Sequence, residues 1–174
     1  MQPFFIFLIL LLFLEGCSTH QTPQSRRAYQ ISLKKAPPQK EHPPYHLHTK
    51  NAITNALYDQ YKKWYGVQYC YGGDNKHGID CSALVQIIYK DAFNINIPRT
   101  TLEQAKSGYR IKKAAMKEGD LILFTTGYHS HHSGIYIEKG NFIHSSSSNG
   151  VTISNVNNPY WRSKYWQTRR VLAR

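Results

Sequence analysis

Residues 69–83 read Tyr-Cys-Tyr-Gly-Gly-Asp-Asn-Lys-His-Gly-Ile-Asp-Cys-Ser-Ala, and the change of pattern at their end decides the fold. Up to Asp80 the stretch is a glycine-rich loop carrying Gly72, Gly73 and Gly78. From Cys81 onward Ala83, Leu84, Ile87 and Ile88 recur at helical spacing. Cys81 therefore stands where a loop becomes a helix. The first-turn N–H groups of a helix have no intrahelical partners and lie at the positive end of its dipole, so a sulfur placed there is favoured as the thiolate. The alternative is a buried, inert cysteine, since free cysteines are commonly buried. Two histidines further along the chain, His132 and His144, weigh against that alternative.

Working outward, Ile53, Ala56, Leu57, Tyr61, Trp64 and Tyr65 form one apolar face of a helix, which Gly66 closes. The folded domain is expected over residues 49–174. The Cys81 helix is expected to run to about Asp91, and Pro98 blocks any helix after it. Thr101-Leu102-Glu103-Gln104 fits a capping box, with Thr101 as N-cap and Gln104 at the third position, opening a short helix that ends near Gly108. Strands are then expected at Asp120–Phe124, Ser133–Glu138, Asn141–Ser145, Val151–Ser154 and Gln167–Leu172. Lys139-Gly140 and Asn149-Gly150 supply hairpin turns, and Asn158–Trp161 a turn with a short helix. Helices first and antiparallel strands after is the α+β order. The expected architecture packs the Cys81 helix on an antiparallel β-sheet.

His132 precedes one expected strand and His144 lies on the next, the two joined by the hairpin at Lys139-Gly140. Facing residues of neighbouring strands come within about 5 Å. One imidazole would take the Cys81 proton, and the other would hydrogen-bond the first and fix its tautomer. Two readings compete with this. The histidines can be structural, or Cys81, His132 and His144 can be zinc ligands near His129 and His131. No ligand carboxylate has a place in such a site, so neither a metal nor a cofactor is expected.

The first residues carry a different signal. Phe4–Leu14 is an eleven-residue apolar run, too short to span a bilayer and suited to a signal-peptide core. It ends Leu14-Glu15-Gly16-Cys17-Ser18, which resembles a bacterial lipoprotein signal, with residues 1–16 removed and Cys17 lipidated. Glu15 and the absence of Lys or Arg from Met1–Pro3 depart from that pattern, and a plain secretory signal is the alternative. Residues 18–48 hold five of the eight prolines and few apolar residues, the composition of a disordered tether. Such a chain averages roughly 30 Å end to end and reaches on the order of 100 Å when stretched. His42, His46 and His48 in it are read as solvated.

The formal net charge is +12, from 22 Lys and Arg against 10 Asp and Glu, which suits an anionic partner. No basic block of five and no nucleic-acid module is present, so nucleic acid is not the expected one. The 13 tyrosines and 3 tryptophans suit either a groove for sugars and peptides or an ordinary core. Cys70 and Cys81 can pair in an oxidising compartment, but a disulfide would remove the nucleophile, so free thiols are expected in the active form.

Gly-Ile-Asp-Cys-Ser-Ala-Leu-Val-Gln (78–86), His-Ser-Gly-Ile-Tyr-Ile (132–137) and Phe-Ile-His-Ser-Ser-Ser-Ser-Asn-Gly-Val (142–151) together resemble the NlpC/p60 family of papain-like cysteine peptidases. The likeness runs from about Thr49 to the C-terminus. Asn158–Arg162 and Arg169–Leu172 are similar to the lipoprotein branch that cuts Gram-negative murein. The resemblance implies Cys81 as nucleophile, His132 as general base and His144 as the orienting third member. It places Tyr69 and Ser82 on the oxyanion and substrate side, with Asp80 and Arg99 in support. Cys70, Ala83 and Ser133 depart from the usual pattern without removing a catalytic group.

The implied activity is peptidoglycan endopeptidase, preferring the D-Ala–meso-diaminopimelate cross-link, with the γ-D-Glu–diaminopimelate bond as the alternative. A non-catalytic wall-binding lipoprotein and an acyltransferase are readings from other classes. The expected partners are stem peptides and, through Cys17, a membrane. The expected state is a monomer, and the expected place is the periplasmic face of the outer membrane.

Overall fold

Ala52–Trp64 forms helix α1 of a computed structural model that describes residues 52–172. Leu57, Tyr58, Tyr61 and Trp64 are buried along it. The chain leaves through Gly66 at φ +75°, a conformation that costs glycine no Cβ clash. The signal segment, Cys17, the tether with its histidines and the expected domain start at Thr49 lie outside the described residues.

The glycine loop contains a small hairpin that the sequence did not announce, β1 (Asp74–Asn75) against β2 (Gly78–Ile79). Helix α2 (Cys81–Phe93) follows at once and runs two residues past the expected end. It stops at Asn94, whose left-handed backbone (φ 55°) is one that asparagine tolerates. Helix α3 (Thr101–Gln104) is shorter than expected, and its capping box is shifted by one residue. Thr100, not Thr101, is the N-cap. Its hydroxyl accepts from the Glu103 N–H at 3.4 Å and donates to the Glu103 carboxylate at 2.7 Å. Gln104 is drawn inward instead, to the carbonyls of Ser82 (2.8 Å) and Pro98 (3.0 Å).

The rest is an antiparallel sheet of six strands: β3 (Tyr109–Ile111), β4 (Leu121–Gly127), β5 (Ser130–Tyr136), β6 (Asn141–Ser146), β7 (Gly150–Asn155) and β8 (Tyr165–Arg170). Their order is β3-β8-β4-β5-β6-β7. Helix α4 (Pro159–Lys164) sits between β7 and β8 in the chain. The β4–β5 hairpin turns at Tyr128-His129, later than expected, so His132 lies within β5 opposite Phe124 and does not precede the strand. β3 was not expected; it pairs with β8, and the Arg170 guanidinium holds the buried Asp120 carboxylate at 2.8 and 2.9 Å.

Alternation splits the buried strand residues into two sets. Leu121, Leu123, Ile135, Ile143 and Val151 are fully buried and point one way, on the side of α1 and α2. Ile122, Phe124 and Phe142 point the other way and, with Val156, form a second cluster covered by Met116, Tyr136, Trp161 and Tyr165. His132 and His144 share the face of Phe124 and Phe142.

Candidate active site

The site is built on the start of α2. Asp80 is its N-cap and accepts from the Ala83 N–H at 2.7 Å. The same carboxylate accepts from the Gly72 N–H (3.1 Å) and the Ser82 hydroxyl (3.1 Å), and from two nitrogens of Arg99 (2.9 and 2.7 Å). Arg99 also donates to the Gly72 and Gly73 carbonyls. One ion pair thus fastens the glycine loop, the helix start and the segment before α3. Burial by itself would raise the Asp80 carboxyl. The Arg99 hydrogen bonds, the Ala83 N–H, the Arg99 charge and the Ser82 hydroxyl outweigh it and hold the group below the ordinary carboxylate range.

Capping consumes the Ala83 N–H, and the Leu84 N–H makes the first helical bond to the Asp80 carbonyl. The N–H groups of Cys81 and Ser82 are left to face whatever binds at the helix end. Cys81 itself is 7% exposed, a free thiol with its sulfur 3.8 Å from the Thr101 hydroxyl. The Ser82 hydroxyl is committed to Asp80 and Arg99, so Ser82 offers a substrate its backbone N–H and not its side chain. Tyr69 bridges Ile79 and is half-buried beside the cysteine. Burial, then the nearby Cys81, Asp80, Tyr71 and Cys70, raise its pKa, so it keeps its phenolic proton and can donate it. Cys70 is in no disulfide among the described residues, and it packs so closely that a Cβ on Gly78 would meet its own at 2.5 Å.

The two histidines are coupled directly. His132 Nε2 lies 2.9 Å from His144 Nδ1, and His144 Nε2 lies 2.9 Å from Ser154 Oγ. The β5–β6 register pairs Ile135 with Ile143, which offsets His132 from His144 by two residues and sets Gly134 against β6. Trp161 stacks on His132 (5.2 Å between ring centres, 29° between planes) and meets His144 edge-on at 5.0 Å. Phe142 stacks on a face of His144 at 4.8 Å and meets Trp161 edge-on at 5.3 Å. This aromatic enclosure has an electrostatic consequence. Burial pushes His132 down to about 4, and burial together with His132 pushes His144 well below its ordinary value. At neutral pH both rings are neutral and each carries one ring proton.

Cys81, His132 and His144 line one cavity of about 410 Å³, together with Tyr69, Ser154 and Trp161. A second cavity of about 620 Å³ adjoins it, lined by Arg99, Thr101 and Leu102, and shares Tyr69, Cys81, Ser130 and His131 with the first. The sulfur therefore sits where two lobes of a groove meet. Among the described residues no three His, Cys, Asp or Glu side chains converge to hold a metal ion. Sequence reasoning gave Thr101 and Gln104 only a helix cap, and Ser154 and Trp161 no role in the site. For Ser154 the signal was the hairpin at Asn149-Gly150, which sets its register against Phe142.

A cysteine that opens a helix packed on an antiparallel sheet, with a coupled histidine pair on that sheet, defines a papain-like domain. The model of the NlpC/P60 family matches residues 66–170, and the chain belongs to that family. Over 122 residues it is 43% identical to the Escherichia coli K12 protein murein DD-endopeptidase MepS/murein LD-carboxypeptidase, covering 70% of this chain and 65% of that protein. Over 170 residues it is 38% identical to the probable endopeptidase NlpC of Escherichia coli K12, covering 97% and 99%. The crystal structure of an NlpC/P60 family protein from Bacillus cereus ATCC 10987 superposes with a TM-score of 0.63 at 34% identity, over 69% of this chain and 40% of that one.

Proposed function

We propose that the protein is a peptidoglycan endopeptidase working through a thioester. Cys81 Sγ attacks the carbonyl carbon of a stem-peptide amide while its proton passes to His132 Nδ1, the ring nitrogen that His144 leaves free. The tetrahedral oxyanion is held by the Cys81 and Ser82 N–H groups, with the Tyr69 hydroxyl beside them. The C–N bond breaks, His132 gives the proton to the leaving amine, and water then hydrolyses the Cys81 thioester with His132 as base. The observation that carries this reading is the His132–His144 contact at 2.9 Å in the cavity that also exposes the Cys81 sulfur.

The preferred bond is the D-Ala–meso-diaminopimelate cross-link. The name of the MepS relative, a DD-endopeptidase, supports this for the class of bond. Residues 1–16 are read as a lipoprotein signal, Cys17 as the lipid-bearing residue and 18–48 as a tether to a catalytic domain over 49–174. The protein would then work as a monomer from the periplasmic face of the outer membrane, its net charge of +12 drawing in the free carboxylates of the stems.

The test is mass spectrometry of fragments released from purified sacculi by the full chain and by Cys81→Ala. Conversion of cross-linked dimers to monomers by the wild type alone supports the reading. Stems shortened after D-Glu would keep the mechanism and move the bond. Binding of sacculi by both proteins without release would replace the enzyme with a wall-binding protein.

A further inference from the structure

Ser154 ends a line of hydrogen bonds that begins at His132. His144 stands between them, its Nδ1 2.9 Å from His132 Nε2 and its Nε2 2.9 Å from Ser154 Oγ. Register puts the serine there. β6 and β7 pair Phe142 with Ser154 and His144 with Thr152, so Ser154 is the diagonal neighbour of His144 on one face of the sheet. Its hydroxyl lines the cavity that holds Cys81, and the His144 ring is its one side-chain partner among the described residues.

A neutral imidazole has one donor and one acceptor nitrogen, so the line can run in either of two directions. Suppose His144 donates from Nε2 to Ser154. Its Nδ1 is then bare and accepts from His132 Nε2–H, and the bare nitrogen of His132 is Nδ1, able to take the thiol proton. Suppose instead that Ser154 donates to His144 Nε2. The His144 proton then sits on Nδ1, His132 Nε2 must accept, and His132 Nδ1 carries a hydrogen and cannot act as base. The two directions also differ once His132 has become an imidazolium. In the first, its Nε2–H still points at a bare Nδ1. In the second, two N–H groups would face each other at 2.9 Å. A flip of the His144 ring offers no escape, because it exchanges Nδ1 with Cδ2 and Nε2 with Cε1 and so turns carbons toward both His132 and Ser154.

We infer that Ser154 is a positioning residue: by accepting the His144 Nε2–H it selects the tautomer in which His132 presents a bare Nδ1 to Cys81. Its own hydroxyl hydrogen is turned to the cavity, where solvent or substrate can accept it. The cysteine and two histidines thereby become a line of four, and the inference rests on the reading of Cys81 and His132 given above.

The test is long-range ¹H–¹⁵N spectroscopy of the full chain with ¹⁵N-labelled histidine, assigned through His132→Gln and His144→Gln. Turnover of a soluble cross-linked muropeptide is measured in parallel. The expected wild-type spectrum has His144 protonated on Nε2 and bare on Nδ1. Ser154→Ala should mix the His144 tautomers and lower kcat about tenfold, the size of one neutral hydrogen bond, with KM changed less than about twofold. Ser154→Thr, which keeps the hydroxyl, should restore both. A wild-type His144 protonated on Nδ1 would overturn the inference, as would Ser154→Ala with wild-type tautomer and kcat. If Ser154→Ala does not fold, the wild-type spectrum alone decides. The expected tautomer in a protein that cleaves no murein would sink the proposed reaction and leave the positioning role standing.

Discussion

Arg99 holds both carboxylate oxygens of Asp80, at 2.9 and 2.7 Å, nineteen residues away in the chain. The pair fixes the first turn of α2, and with it the sulfur of Cys81 and the two free N–H groups beside it. Arg99→Ala leaves a carboxylate that is 11% exposed without its cation. Breaking a fully buried pair costs about 3–5 kcal/mol. The guanidinium is 37% exposed, so solvent screening should reduce the loss to about 2 kcal/mol. Urea unfolding measures it. A loss below about 0.5 kcal/mol would mean that the loop and helix start hold together without the clamp.

The coupled histidines make stability depend on pH. Burial holds His132 at about 4 in the folded protein, against about 6.5 in the unfolded chain. Between those values the unfolded chain binds the proton and the folded one does not, so stability falls as pH drops from about 6.5 to about 4 and this contribution levels off below. For His132 the loss is about 3 kcal/mol by pH 4, and His144 adds to it in the same direction. Asp80 acts lower, because its folded value lies below the ordinary carboxylate range. Urea unfolding at steps from pH 7.5 to 4 should show the slope, and His132→Gln should make it shallower. Equal slopes in the two proteins would place hydrated, ordinary histidines in the site.

What could be read from the chain follows from where each signal is local. A switch from a glycine loop to apolar residues at helical spacing put Cys81 at a helix start, and Lys139-Gly140 and Asn149-Gly150 set two hairpins. The capping box slipped because Thr100-x-x-Glu103 and Thr101-x-x-Gln104 both satisfy its pattern. The choice was made by Gln104 reaching the Ser82 and Pro98 carbonyls, a tertiary contact. β3 escaped because three residues are too few for their alternation to carry a signal, and its partner, β8, lies some sixty residues away. Trp161 lies in the Asn158–Arg162 stretch that shares the family likeness, but its place over the histidines has no local signal, since it depends on how α4 folds back onto β4.

Gly134 is where the histidine pair is set geometrically. An added Cβ would meet the Ile143 carbonyl oxygen and a Phe142 ring carbon at 2.7 Å and the His144 Cβ at 3.3 Å. Two of these are closer than real contacts allow, and neither is the free end of a flexible side chain. Gly134→Ala should therefore cost about 2 kcal/mol, the usual scale of overpacking. It should also push β6 away and lengthen the His132–His144 contact, so turnover should fall even at temperatures where the variant is fully folded. Circular dichroism melts and muropeptide turnover check the two parts separately. A folded, fully active variant would show that β5 and β6 separate without disturbing the pair.

Ser133 is next to His132 in the chain and yet on the other side of the sheet. It is wholly buried opposite Leu123, and its hydroxyl has no hydrogen-bond partner among the described residues. A buried hydroxyl without a partner costs about 1–3 kcal/mol, and an apolar side chain of similar size removes that cost. Alanine gives up little packing volume in return. Ser133→Ala should therefore raise stability by about 1 kcal/mol in urea unfolding. Strand alternation keeps the substitution away from the histidine face, so turnover should match the wild type. A destabilised variant would mean that the hydroxyl is satisfied by a bound water between the sheet and α2. A stabilised but inactive one would mean that β5 passes strain from one face to the other.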